Sequence, residues 1–177
     1  MSAIRDIEML LEVKIENNIS NCLMRLLYVN VITALETYLS DAFINIVLNN
    51  PELMRRFIET NPDFQEEKIS VVDIYKTVEI IEKKARSYLI ELTWHRLDRV
   101  KPMYEKTLNI KFPHDLGEIF RAILMRHDIV HRNGKTKDGK ELAITQEKVK
   151  SLIEIVKQLV QQIDTQLIKN DLTNRST

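Results

Sequence analysis

From residue 20 to residue 48 the apolar side chains return at every third or fourth position: Leu23, Leu27, Val31, Leu35, Tyr38, Leu39, Ala42, Phe43, Ile46 and Val47. That rhythm belongs to a helix with one buried stripe, and Asn49-Asn50-Pro51 ends it. The 177 residues include three Gly and four Pro, so the remaining chain has few places to turn, and long helices joined by a few loops are expected. Hydrophobic residues make up 44% and charged residues 29%, the balance of a globular domain that can bury a core without staples. The expectation is one all-α domain over residues 1–169, a helical bundle with additional short helices. Residues 170–177 read as a disordered tail.

The other elements follow from the same rules. A first amphipathic helix is expected over residues 4–16, with Ile7, Leu10, Leu11 and Ile15 on one side. A short helix covers 51–60 with Pro51 in its first turn. Ser70 is expected to cap a helical stretch from 71 to about 99, and Pro102 to kink or divide it before a further piece reaches Leu108. His114 or Asp115 opens the next helix, with Leu116, Ile119, Phe120, Ile123, Leu124, Ile129 and Val130 facing inward. Asn133-Gly134 stops that helix. A polar loop with an Asp138-Gly139 turn follows, a candidate small hairpin. Thr145 caps the last helix, Glu147 complements its dipole, and Val149, Leu152, Ile153, Val156, Val160, Ile163 and Leu167 form its buried stripe.

Several functions are excluded or narrowed. Cys22 is the only cysteine, so neither an intramolecular disulfide nor a cysteine-based zinc site can form. The first residues carry charges and no apolar signal-peptide core. No uninterrupted apolar run approaches the ~20 residues that span a bilayer. A cytoplasmic protein with no membrane partner is therefore expected. The 26 basic and 26 acidic residues cancel, which argues against a general nucleic-acid coat. Locally they do not cancel. Between Arg121 and Lys140 the basic Arg121, Arg126, Arg132, Lys135, Lys137 and Lys140 outnumber Asp128 and Asp138, a window of +4 against −4 for the rest. Either an anionic ligand binds there or the window is a solvated helix end and loop.

The segment RHDIVHRNGK, residues 126–135, lies inside that window. Positions four apart on a helix sit about 40° from each other and positions five apart about 140°. His127 and His131 therefore share a face, whereas Arg126 and His131 diverge. Two histidines at that spacing can clip a metal, as in H-E-x-x-H. Here Asp128 replaces the glutamate, and no third ligand stands at a recognisable downstream spacing. His114 is ~20 Å back along the axis. A pair of surface histidines favoured by the helix dipole is the plainer alternative. A second basic stretch, TWHRLDRVKPMYEK, has two readings: Trp94, His95, Arg96, Arg99 and Lys101 stacking and pairing with a single strand, or an amphipathic helix with its Trp half buried.

The form Arg126-His127-Asp-Ile-Val-His131, ending in HRNG after an apolar amphipathic helix, resembles the HEPN superfamily. The closer likeness is to the RiboL-PSP-type HEPN group, in which R-H/N-x-I-V-H-x-N-G closes a helix. ALETYLSDAF, residues 34–43, looks like that group's long N-terminal helix with its embedded acid. The C-terminal helix ITQEKVKSLIEIVKQLVQQID is similar too, so the likeness spans residues 4–169.

The resemblance implies an all-α HEPN-like antiparallel bundle. It also implies a metal-independent endoribonuclease, free of cofactors, that works as a homodimer with the arginine and histidine of both subunits lining one cleft. Its setting would be bacterial defence or a toxin–antitoxin pair, with an antitoxin or defence-system partner. The alternative is a non-catalytic HEPN dimer serving as an RNA-binding or protein-interaction module. On the enzymatic reading His131 is the general acid/base and Arg126 holds the phosphate and its transition state. His127 orients or contacts the phosphate. Arg132, Asn133, Lys135 and Lys137 hold the RNA backbone. Glu36 and Asp128 support these groups from behind, since an acid on an otherwise apolar helix such as Glu36 needs a cationic or hydrogen-bonding partner; the alternative for Glu36 is a solvated edge of the stripe. The 140° divergence then demands that the helix loosen near His131 or that the cleft face two chains.

Overall fold

The computed structural model describes residues 2–14, 16–65 and 74–174. Among these there are eight helices and no strand: α1 (Ser2–Leu11), α2 (Asn17–Leu48), α3 (Pro51–Thr60), α4 (Pro62–Gln65), α5 (Ile74–Glu91), α6 (Leu97–Leu108), α7 (Gly117–His131) and α8 (Gln146–Asn174). The chain divides into two compact units, Met1–Tyr38 with Pro113–Thr165, and Leu39–Phe112 with Gln166–Thr177.

The first unit holds α1, the beginning of α2, α7 and most of α8. Its core is aliphatic: Ile4, Ile7, Val31, Ile32, Leu35, Ile119, Val149, Ile153 and Val156 are all buried. Polar contacts set the helix directions. Glu8 meets Lys157 at 2.5 Å and Glu12 meets Lys150 at 3.1 Å, so α1 runs antiparallel to α8. Asn21 accepts from the Ile144 N–H at 3.4 Å and the Tyr38 hydroxyl donates to Asp164 at 2.5 Å, so α2 runs parallel to α8. Exposed ion pairs of this kind contribute about 1 kcal/mol or less each. Apolar burial carries the unit, and the polar contacts choose the orientation.

The second unit has an aromatic core. Phe43 of α2, fully buried, lies 5.7 Å from Phe57, 5.9 Å from Trp94 and 5.2 Å from Tyr104, ring centre to ring centre. Helices α3 and α6 pack together, and Asn50 caps α3 by accepting from the Glu52 and Leu53 N–H groups. By length and a mean hydropathy of 1.4, α2 is apolar enough to cross a membrane. In this fold its Leu27, Val31, Leu35, Leu39, Phe43 and Val47 are buried core residues.

The structure corrects several expectations. Helix α1, expected to reach residue 16, ends at Leu11, and α2 already begins at Asn17. Leu10 is exposed; Ile15, Ser70 and Val71, and the cap assigned to Ser70, lie outside the described residues. Pro102 neither divides nor ends its helix; α6 passes through it. The break falls earlier, between α5 and α6, where Trp94 is buried against Phe43 and its indole N–H donates to the Leu89 carbonyl at 3.1 Å. Arg96 is paired to Asp98, Arg99 to Asp63 and Lys101 to Glu105, so this stretch offers no stacking platform for a strand of nucleic acid. The hairpin after α7 is reduced to a single bridge, Lys135 to Glu141. Helix α8 continues to Asn174, past the start of the expected tail, and residues 175–177 lie outside the described ones.

Two fully buried hydroxyls on α6 differ in one respect. Tyr104 donates to the Leu39 carbonyl at 2.6 Å, whereas the Thr107 hydroxyl has no hydrogen-bond partner among the described residues. Removing a partnered buried hydroxyl costs stability, and removing an orphaned one relieves a desolvation penalty. Tyr104→Phe should lower unfolding free energy by about 1 kcal/mol, and Thr107→Val should leave it unchanged or raise it. Urea midpoints at constant m-value measure both.

Candidate functional site

The candidate residues all belong to the first unit and are set by α7, the loop that follows it, and the facing part of α2. Helix α7 begins after Asp115, whose carboxylate accepts from the Gly117 N–H at 2.7 Å. It stays helical through His131, and the Arg132 N–H still bonds to the Asp128 carbonyl at 3.0 Å. The helix therefore does not loosen before His131, and the angular separation from Arg126 remains about 140°.

That geometry sorts the site into two faces. On one, Arg126 turns toward α2 and stands 4.0 Å from Glu36; both side chains are about four-fifths buried. The Arg126 Nε is buried without a hydrogen-bond partner among the described residues. The hydroxyl of Tyr28, also on α2, is pushed up to about 12, first by burial and then by the charge of Glu118, so it stays protonated at neutral pH and does not serve as a base. On the other face His127 and His131 are exposed, with ring centres 4.6 Å apart and planes inclined by 44°. Among the described residues no three His, Cys, Asp or Glu side chains gather to hold a metal ion.

The outward face of α7 is also apolar. Phe120, Leu124 and Val130, expected to face inward, are 41%, 67% and 47% exposed. Leu116, just before α7, and Ile119 are buried as expected, and Ala122 with them; the apolar residues of α7 cover more than one face, and a single face suffices for the core. Phe120, Leu124, His127 and His131 fall within an arc of about 60°, so the two histidines continue an exposed apolar stripe.

The helix stops where Asn133 and Gly134 both adopt left-handed backbone, φ 52° and 74°. The Gly134 N–H is shared between the Asp128 and Ile129 carbonyls at 3.3 and 3.2 Å, a Schellman-type ending. Asp128 and Arg132 are ion-paired one turn apart, so part of the Arg132 charge is already engaged. Lys135 and Lys137 are exposed and form no ion pair among the described residues. The structure thus brings Arg126 to Glu36, His127 to His131 and Arg132 to Asp128, and leaves the two lysines on the loop beyond.

Arg25 of α2 escaped the reading of the sequence. Its Nε donates to the Leu142 carbonyl at 3.1 Å and one terminal nitrogen to the Asn133 carbonyl at 3.5 Å. A β-carbon on residue 134 would lie 2.4 Å from that guanidinium. The signal was available: a charge on an otherwise apolar helix needs a partner, the same rule that singled out Glu36.

The chain belongs to the RiboL-PSP-HEPN family, whose model matches residues 2–169. No curated protein and no solved structure gives a match. Membership fits the all-helical fold, and it places the Arg126-to-His131 segment in a HEPN-type domain.

Gly134 and Gly139 share a left-handed backbone, but nothing lies within 4 Å of a β-carbon at residue 139. Gly139→Ala should cost about 1 kcal/mol for the backbone alone. Gly134→Ala must also displace the Arg25 guanidinium, and a loss of ~2 kcal/mol or more is expected by chemical denaturation.

Proposed function

We propose that the protein is a metal-independent endoribonuclease whose cleft is completed by two copies of the chain. One observation carries this reading: α7 remains regular through His131, so Arg126 and His131 point about 140° apart on one chain, while the histidines sit at the end of an exposed apolar stripe. An apolar stripe of this kind suits a second copy of α7. A two-fold axis beside His131 would bring the histidines of the two chains together.

RNA supplies its own nucleophile in the 2′-hydroxyl beside the scissile phosphate. One histidine takes that proton as the 2′-oxygen bonds to phosphorus. The histidine of the second chain gives a proton to the departing 5′-oxygen. Charge gathers on the non-bridging oxygens of the phosphorane between these steps, and the permanently cationic, fork-shaped Arg126 is suited to it. Glu36 holds that arginine against α2. His127, beside His131, orients the phosphate. Lys135, Lys137 and the remaining charge of Arg132 attract the backbone without reading sequence, and the exposed Asn133 side chain adds a neutral contact. A nuclease of this kind acts on cytoplasmic RNA and needs restraint, which suits an effector held by an antitoxin or a defence-system partner.

Purified protein incubated with RNA in excess EDTA should produce 2′,3′-cyclic phosphate and 5′-hydroxyl ends. Arg126→Ala and His131→Ala should each lower the rate by about two orders of magnitude or more. Absence of cleavage, or cleavage abolished by the chelator, overturns the reading. Leu124→Asp leaves every proposed catalytic group in place, yet it should convert a dimer to a monomer in sedimentation and remove cleavage with it. A variant that stays dimeric and active would show that this stripe is not the interface.

A further inference from the structure

Residues 133–142 form a compact finger. The Leu142 N–H donates to the Gly134 carbonyl at 2.8 Å and the Thr136 N–H to the Lys140 carbonyl at 2.8 Å. The Lys140 N–H donates to the Thr136 hydroxyl at 3.2 Å, and Gly139 makes the turn with φ 78°. Lys135, Lys137 and Lys140 are exposed on it, and none forms an ion pair among the described residues. The finger leaves α7 two residues after His131, so its placement decides where these cations stand relative to the histidines.

Both ends of the finger rest on one side chain. Arg25 bonds to the carbonyls of Asn133 and Leu142, and its other terminal nitrogen lies 3.9 Å from the Glu141 carboxylate. Its side chain is 19% exposed. Gly134 makes the approach feasible, since a β-carbon there would occupy the guanidinium's place. Arginine suits this position because a planar cation with five N–H donors can serve two carbonyls and a carboxylate at once. A lysine ammonium is a point charge on a flexible stem and cannot hold two diverging carbonyls in register. The positive charge of Arg25 is consumed by the finger's own backbone and is not presented to solvent.

We infer that Arg25 is the positioning residue of an RNA-gripping finger, fixing Lys135, Lys137 and Lys140 beside the histidine face without itself touching the substrate. This rests on the proposed RNA-binding role of that face and does not require catalysis. Untethered, the lysines remain on the chain but no longer sit in register with successive phosphates.

The salt dependence of binding tests this directly. Each phosphate neutralised on a single strand contributes about −0.7 to the slope of log K against log salt. The probe is a fluorescent 2′-O-methyl RNA, which lacks the nucleophile, so affinity is read whether or not the protein cleaves. The full chain carrying Lys135→Gln, Lys137→Gln and Lys140→Gln should lose about 2 from the slope. Arg25→Ala should lose a comparable amount with all three lysines in place, and Arg25→Lys should not rescue it. In cleavage assays Arg25→Ala should raise KM several-fold with kcat nearly unchanged, a split that a smaller folded fraction would not produce. If Arg25→Ala does not fold, Arg25→Gln keeps an N–H donor near the Nε position but has no terminal fork, can serve only one end of the finger, and should show the same loss. A wild-type slope in a folded Arg25 variant overturns the positioning role, and a wild-type slope in the triple lysine variant overturns the finger. Failure of the wild type to cleave RNA, with these slopes as expected, would remove the nuclease reading and leave this one standing.

Discussion

A regular helix cannot aim side chains five residues apart at one point, and α7 keeps its hydrogen bonding through His131. The layout of this end of the molecule follows from that constraint. Arg126 is turned toward Glu36 on α2, and His127 and His131 are turned outward beside Phe120 and Leu124. Within one chain the arginine and the two imidazoles lie on different sides of a cylinder. On the proposed reading, the apolar character of the outward side gives a second chain reason to meet it, and chemistry and assembly become one requirement on the same helix.

The second determinant is the manner in which α7 stops. Asn133 and Gly134 take left-handed backbone, the Gly134 N–H is shared between the Asp128 and Ile129 carbonyls, and Arg25 fills the space that a side chain at 134 would need. An ordinary helix-stop signal therefore has a tertiary partner about a hundred residues away in the chain. Because the same guanidinium meets both ends of the loop that follows, the helix end and the lysine-bearing finger are held as one piece.

Much of this was legible in the sequence where periodicity was unambiguous. The stripe of α2 predicted Leu27, Val31, Leu35, Leu39, Phe43 and Val47 as core, and all are buried; the stripe of α8 held equally well from Val149 to Ile163. On α7 the same rule overreached, because a helix with apolar residues on two sides does not say which side the core takes. Proline was a poor guide at Pro102, since burial of Trp94 in the aromatic cluster of Phe43 decided where α5 and α6 part. In the candidate site, the rule that an acid on an apolar helix seeks a cation anticipated the approach of Glu36 to Arg126. The identical rule applied to Arg25 and was not used there, because its partners are backbone carbonyls of a distant loop that carry no sequence signature. The Asp128–Arg132 pair was legible as an i,i+4 spacing, although its effect is to engage a cation that the motif alone left free.

The central claim is that the cleft needs His131 of both chains. Wild-type and His131→Ala chains can be co-expressed with different affinity tags and the mixed dimer isolated. The account predicts that the mixed dimer cleaves RNA in EDTA no better than the His131→Ala dimer, since its cleft lacks the second histidine. A mixed dimer with half or more of the wild-type activity would contradict it.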